Sequence, residues 1–441
     1  MTVLVDIVYL LAALAYGPVL AYRMARYGRY RKGWADRFGN IFRRDPALRK
    51  CIWLHAVSVG EVNAAKTIIQ ELRSRFSQYD FVLTATTDTG FARAAEVFGG
   101  DLPVYYFPLD FSWIMRRAFT NIQPSLCLLM EQEVWPNFVQ IANRLKVPVV
   151  VVNGRISDKG LLRYKKILPL SRWIYQKVNL VLTQTEEYAS RFVEIGCPPQ
   201  KIIVTGSLKY DTAQIADTVE GADELAKQLK LKNQRLWVAG ATGNDEEQIL
   251  LDVYQQLKAG EQFKDLRLVI VPRKPERFDE VAQLIEQRGL PFVRYSLIKN
   301  SDEAELAKLK TRSRRIKADT IILGDTMGDL RKFYSLATVI FVGRSLVPMG
   351  GSDMMEAAAL GKPTIFGPHT FNFKQTVDVL LQGQGAILVN SKDQLQQALE
   401  KCLTDIDYAG TIARKGQDII RKNQGATQKT IDHIAKFLNK G

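Results

Sequence analysis

Behind three apolar runs of this sequence stand carboxylates, the residue type a general base needs at a strand's carboxyl end. In His55-Ala-Val-Ser-Val-Gly-Glu61 a β-rich run ends, Gly60 permits a tight turn, and Glu61 falls where a helical pattern begins. The positive end of a helix macrodipole favours an exposed, ionised carboxylate there. A helix-capping role fits the same position. In Met130-Glu-Gln-Glu-Val-Trp-Pro-Asn137, Glu131 and Glu133 can point the same way, as reactive groups or as partners of the next helix's dipole. In Gly206-Ser-Leu-Lys-Tyr-Asp211, Lys209 can face an anion or be an ordinary surface cation. The richest segment runs from Val342 to Pro363: a strand, a Gly350-Gly351 turn, then a helix with Glu356 about one turn in. Backbone N–H groups at such a start bind anions, and Glu356 can accept from two ribose hydroxyls. Pro272-Arg273, Gly324–Gly328 and Gly367–Asn372 add further turn-forming and charged groups after apolar runs.

Other chemistries are absent or poorly supported. No GxxxxGK[ST] loop, no GxGxxG after the first strand and no GxSxG elbow occurs. With three His and four widely spaced Cys (Cys51, Cys127, Cys197, Cys402), a zinc site or disulfide framework is not expected. The single Asp405–Asp407 pair follows no strand and reads as a helix cap or turn.

These groups must be positioned by the elements around them. The 441 residues, 46% hydrophobic and 24% charged, are globular in composition and long enough for two or three domains. Apolar runs at Ile52–Val57, Phe81–Thr86, Ser125–Met130, Val147–Asn153, Leu180–Gln184 and Ile202–Gly206 alternate with helical patterns, among them Val62–Phe76, Trp135–Lys146 and Leu161–Lys177. After a polar stretch, Asp211–Asn233, the alternation resumes with strands from Arg235–Gly240 to Ala386–Val389, and Lys299–Lys317 reads as a charged surface loop. Strand and helix in alternation predict α/β architecture: two doubly wound parallel sheets, ligands at the strands' carboxyl ends, and a cleft between the halves.

Charge singles out the N-terminus. Formal net charge is +15; residues 1–50 carry ten Lys+Arg against three Asp, and Arg155–Lys177 carries seven against Asp158 alone. Polyanions are the implied partners. From Ile7 to Tyr22 no residue is charged, about 24 Å of helix against a hydrocarbon core of about 30 Å. With Asp6 reaching back to the interface, the segment can just span. No Lys or Arg precedes it and several follow, which keeps the bulk of the chain cytoplasmic. A basic nucleic-acid arm would not be preceded by such a segment, so no nucleic-acid partner is expected.

HAVSVGE, MEQEVWPN, GSLKYD, VPRKPERF, GDTMGDL, GRSLVPMGG with Glu356, and GPHTFNFK occur in this order. Together they resemble the 3-deoxy-D-manno-octulosonic acid (Kdo) transferases of lipid A assembly over essentially the whole chain. The resemblance implies a GT-B fold, with a membrane anchor over 1–22, an acceptor-binding domain over 23–211, a CMP-sugar-binding domain over 212–424, and a helix over 425–441 that can pack back on the first domain. It implies an inverting, metal-independent transfer from CMP-Kdo to a phosphorylated, acylated glucosamine disaccharide at the inner membrane, without a cofactor. Glu61 would be the general base, with Glu131 and Lys209 stabilising the transition state. Pro272, Arg273, Met327, Gly328, Asp329, Asp353, Met354, Met355 and Glu356 would line the CMP site. The sequence departs from the family's usual GGHNPLE, PRHPER and STH at Ser352-Asp353-Met354-Met355, Lys274 and Ala241-Thr242-Gly243. Another GT-B transferase or a sugar-nucleotide epimerase is the alternative, though an epimerase needs neither an anchor nor a basic face.

Overall fold

A computed structural model of the chain describes residues 2–27, 32–45, 49–231, 234–299 and 320–439. The charged segment after Lys299 lies outside the described residues. Two compact units result, Met1–Thr212 with Asn423–Gly441, and Ala213–Lys422.

The first unit holds seven strands: β1 Lys50–His55, β2 Tyr79–Ala85, β3 Val104–Tyr106, β4 Pro124–Met130, β5 Val149–Gly154, β6 Leu180–Thr183 and β7 Ile202–Val204. All pair parallel, in the order β3-β2-β1-β4-β5-β6-β7. Alternate residues feed opposite faces, as the two-residue period of a strand requires. Ile52, Leu54, Leu126 and Leu128 face one core, Trp53, Cys127 and Leu129 the other. The order reverses between β1 and β4, a switch point where open α/β sheets leave a crevice at the strands' carboxyl ends.

The second unit repeats the plan with β8 Arg235–Thr242, β9 Leu266–Pro272, β10 Phe292–Arg294, β11 Ile321–Leu323, β12 Val339–Val342, β13 Thr364–Phe366 and β14 Ile387–Leu388. The order is β10-β11-β9-β8-β12-β13-β14, so its switch point lies between β8 and β12. The edge strands β3 and β10 have no counterpart among the sequence expectations. Val104-Tyr-Tyr and Phe292-Val-Arg are mostly half-buried at a sheet edge and lack the wholly buried apolar run of a strand such as Ile321–Leu323. The expected single helix over Leu161–Lys177 is two helices, Asp158–Lys166 and Leu168–Tyr175. Pro169 has no N–H to donate and its ring crowds the preceding turn, so the helix breaks at Ile167.

Two terminal helices complete the first unit. Ala426–Leu438 packs Ile431, Ile434 and Leu438 into the core built by Ile68 and Leu72. Its first turn is held by Asp211, whose carboxylate accepts from Gly425 N–H (2.7 Å) and Thr427 N–H (2.5 Å). At the other terminus, Thr2–Tyr27 is a helix long and apolar enough to cross a membrane. Thr2, Val5 and Asp6 on its first turns are buried, whereas Val3, Leu4, Ile7, Val8, Leu11 and Leu14 are exposed.

Candidate functional site

In the first unit, the carboxyl ends of β1 and β4 bring acidic groups together. Glu61 lies in the first turn of the helix Val59–Arg75, behind Ser58 at the N-cap. Its Oε2 accepts from Val57 N–H (2.9 Å) and its Oε1 from the Ser58 hydroxyl (3.1 Å). The Ser58 side chain makes no cap hydrogen bond of its own, so Glu61 ties down the chain entering the helix instead of completing a reciprocal Ser-x-x-Glu box. The exposed, ionised carboxylate expected from sequence is not found: Glu61 is only 8% exposed. Burial pushes its pKa from the ordinary 4.5 up to about 8, against the pull of the Val57 N–H, with Glu131 and then Glu133 adding repulsion. A helix start favours a carboxylate by about 0.3–1 kcal/mol, far less than the cost of removing its charge from water.

The turn after β4 supplies the other two acids. Glu131 adopts a left-handed φ of 55°, and its Oε2 lies 3.9 Å from Arg155 Nε. Burial, then Glu131, raises the pKa of Glu133. Lys209 is half-buried on the short helix Leu208–Asp211, which packs against Val59–Arg75, and makes no ion pair among the described residues. Asn153, also left-handed at φ 57°, seats that helix by accepting from Leu208 N–H at 3.2 Å. Three acids, with Arg155 beside Glu131, thus gather at this end of the sheet.

His55 is buried in β1, stacked on Phe107 with ring centroids 3.8 Å apart and bonded to Thr84. Burial lowers its pKa to about 3, leaving it neutral and in the packed role expected from its place in the strand. Gly60 needs no special conformation, since an added Cβ would meet only Ser58 Oγ, at 3.9 Å. The glycine that matters was not singled out by sequence. A Cβ on Gly90 would lie 2.6 Å from the Val57 carbonyl, where Thr87 also donates to that carbonyl through N–H (3.2 Å) and hydroxyl (2.9 Å).

In the second unit, Arg273 follows β9 directly, exposed and without an ion pair among the described residues, beside the buried Pro272. Glu356 is half-buried and makes no hydrogen bond among the described residues; burial, then Asp353, raises its pKa. Gly350 and Gly351 take φ of 89° and 79°, and a Cβ on Gly350 would strike Asn372 and Phe371. The other residues expected to line the CMP site are placed as follows. Met354 and Met355 are buried side chains. Met355 N–H is taken by the Asp353 carboxylate (2.9 Å) and Gly351 N–H by the Arg344 carbonyl (2.8 Å), so neither amide is open to an anion. Asp329, 2% exposed, is held by Lys299 (2.6 Å), Thr326 (2.7 Å) and Lys332 (3.0 Å). What faces outward from that loop is Met327, 63% exposed, with Gly328 at φ 87°.

The loop after β12 is shaped by a residue the motifs did not flag. The buried carboxylate of Glu246 accepts from the N–H groups of Arg344 (2.6 Å), Ser345 (3.0 Å), Leu346 (3.0 Å) and Gly243 (3.2 Å). Next to it Glu247 receives Arg277 through both guanidinium nitrogens (2.6 and 3.1 Å). Two of the positions that depart from the usual family residues have defined local contacts. At Gly243 an added Cβ would lie 2.5 Å from Met349 Sδ, and Ser352 donates to the Ala241 carbonyl (3.2 Å). Among the described residues, no group of three or more His, Cys, Asp or Glu is arranged to hold a metal.

Two doubly wound parallel sheets, each with its reactive loops at the switch point, define the GT-B class of fold. Anabaena Alr3699/HepE in complex with UDP has this fold: TM-score 0.54, 14% identity, covering 88% of this chain and all of that one. The family described as 3-Deoxy-D-manno-octulosonic-acid transferase (kdotransferase) matches residues 32–212. The 3-deoxy-D-manno-octulosonic acid transferase of Haemophilus influenzae is 32% identical over 93% of each chain. That of Bordetella pertussis is 31% identical over 98% of this chain and 99% of its own. The chain belongs to the Kdo transferase family, and its activity is that of a glycosyltransferase.

Proposed function

We propose that this enzyme transfers Kdo from CMP-Kdo to a sugar hydroxyl of the lipid A precursor, with inversion and without a metal, and that Glu61 is the general base. The observation carrying this reading is the state of Glu61: held by Val57 and Ser58, with a pKa near 8. A base is most effective when its pKa lies near the working pH. The acceptor hydroxyl oxygen attacks the anomeric carbon of Kdo, the bond from that carbon to the CMP phosphate oxygen breaks, and the hydroxyl proton passes to Glu61. CMP departs with the bonding pair as a phosphate anion and needs no acid. Lys209 and Arg155 offset the charge gathered around the sugars, and Glu131 orients the approach. In the second unit, Arg273 meets the donor phosphate and Glu356, unpaired and half-buried, accepts from the ribose.

The acceptor is phosphorylated and lipid-bound, so the enzyme works at the inner membrane with both units on the cytoplasmic side. Two features support this placement. The helix Thr2–Tyr27 exposes an apolar stripe. The segment 158–172 exposes Lys159, Arg163, Lys166 and Arg172 with Leu162 and Ile167. The test is a membrane fraction containing the protein, given radiolabelled CMP-Kdo and lipid A precursor. Label should enter the lipid with wild-type protein and not with Glu61→Gln. Absence of transfer by wild-type protein overturns the reading.

A further inference from the structure

Asp6 is the only charged residue between Met1 and Tyr22. A carboxylate is costly in lipid, so a helix serving only to partition into a bilayer gains nothing from it. Contrary to the sequence expectation, Asp6 does not reach for an interface. It is buried, and its Oδ1 accepts from Ser112 N–H (2.9 Å) and Asn137 Nδ2 (2.9 Å). One turn on, the Tyr9 hydroxyl donates to Asp110 Oδ2 (3.0 Å). Asp110 is buried too, and accepts from Asn137 N–H (3.0 Å) and Phe138 N–H (2.8 Å), while its carbonyl receives Asn137 Nδ2 (2.5 Å). Tyr9 also packs edge-on against Phe111, centroids 5.8 Å apart.

Asn137 is the common partner of both acids, and it closes the segment that begins with Glu131 and Glu133. The apolar helix is therefore hydrogen-bonded to the segment Asp110–Ser112 and to the first turn of the helix that directly follows the acidic loop. Two carboxylates at the starts of two helices, Ser112–Ile122 and Pro136–Arg144, also complement both dipoles. On the outer side of the same helix lie Val3, Leu4, Ile7, Val8 and Leu11, all exposed.

From this geometry we infer that Asp6, Tyr9, Asp110 and Asn137 are positioning residues. They lock the lipid-facing helix to the start of the helix Pro136–Arg144, which directly follows the acidic loop, so that the reaction centre stands at a set height and tilt over the bilayer holding the acceptor. This rests on the proposed membrane-bound acceptor. A lock of this kind matters when the acceptor is held in a bilayer and not when it diffuses in detergent, because only the bilayer fixes where the acceptor's hydroxyl stands.

The test uses the full chain, with Asp6→Ala and the milder Tyr9→Phe. Transfer is measured to lipid A precursor in vesicles containing anionic phosphatidylglycerol, and to the same acceptor in detergent micelles. The vesicle rate should fall at least 10-fold for Asp6→Ala and severalfold for Tyr9→Phe, with micelle rates within about twofold of wild type and vesicle binding retained. Equal losses in both assays, or none in either, overturn the inference. Amide hydrogen exchange gives a readout independent of activity: protection of Ser112, Asn137 and Phe138 should drop in Asp6→Ala. Unchanged protection would mean that the helix and the loop are uncoupled. Wild-type protein inactive in both assays would instead count against the proposed function, leaving the exchange result to decide the lock.

Discussion

The Glu61 carboxylate holds the chain entering its helix by accepting from Val57 and Ser58, and burial beside Glu131 and Glu133 raises its pKa to about 8. In the proposed role as base it must be ionised, so kcat/KM should climb with pH and level off above about 8. Glu61→Gln should lower kcat by roughly 10²–10⁴, the usual worth of general-base help, and abolish that limb of the profile. Stability moves the other way. A folded pKa raised from 4.5 gives stability that is full below pH 4.5 and lost as pH rises through about 8. At about 1.4 kcal/mol per pKa unit, the upper limit of that loss is about 5 kcal/mol, and Glu61→Gln should escape it. Thermal melts at pH 5 and pH 9 would read this. The neutral Glu131→Gln should shift the rate midpoint downward by removing the largest repulsive neighbour. In the other unit, if Glu356 meets the ribose as proposed, Glu356→Ala removes at least one hydrogen bond to a charged acceptor, about 1.5–3 kcal/mol for each bond. CMP binding by calorimetry should weaken by roughly 10- to 150-fold; unchanged affinity would place the nucleotide elsewhere.

At the scale of elements, reactive loops are held by residues on neighbouring segments. The helix Asp88–Phe98 approaches the Val57 carbonyl so closely that only glycine fits at position 90. Gly90→Ala should force that loop aside, costing about 1–3 kcal/mol as overpacking does, and lower kcat because Val57 carries the donor to Glu61. Asp211, two residues beyond Lys209, holds the first turn of the last helix. Asp211→Ala leaves two N–H groups without their acceptor, about 1–3 kcal/mol. At about 2–4 °C per kcal/mol for a unit of this size, calorimetry should find its melting point lowered by roughly 2–12 °C. An unchanged midpoint would show that water caps this helix equally well.

Across the whole molecule, the two units share one plan. Each sheet reverses its order between its first strand and the strand carrying the second set of reactive groups, β1 with β4 and β8 with β12. Left-handed residues gather at these strand ends: Glu131, Asn153, Ala241 and Arg344. Such backbone costs of order 1–3 kcal/mol per residue and persists where surrounding contacts enforce it; Glu246 with its four N–H donors is one such enforcer. The proposed membrane attachment belongs to this scale, because an apolar helix and basic surfaces would add. Deleting residues 1–22 should weaken attachment, and the remainder should wash off in high salt, since basic groups act at about 1 kcal/mol each within a Debye length. Truncated protein that sediments with membranes as before in high salt would rule the helix out as the anchor.

The alternation of β-rich runs with helical periods was enough to predict two parallel doubly wound sheets. The order of the motifs was enough to name the family, because both are local patterns repeated along the chain. The edge strands β3 and β10 were not legible because they are mostly half-buried and lack a wholly buried apolar run. Protonation and contact were decided by tertiary structure. Glu61 reads as an exposed acid at a helix start until the surrounding protein removes its water and Glu131 and Glu133, seventy residues away, repel its charge. Asp6 reads as an interfacial acid until Ser112 and Asn137 fold against it. Gly90, Glu246 and Asn137 gain their roles only from partners distant in sequence, since desolvation and close approach depend on which segments meet in space.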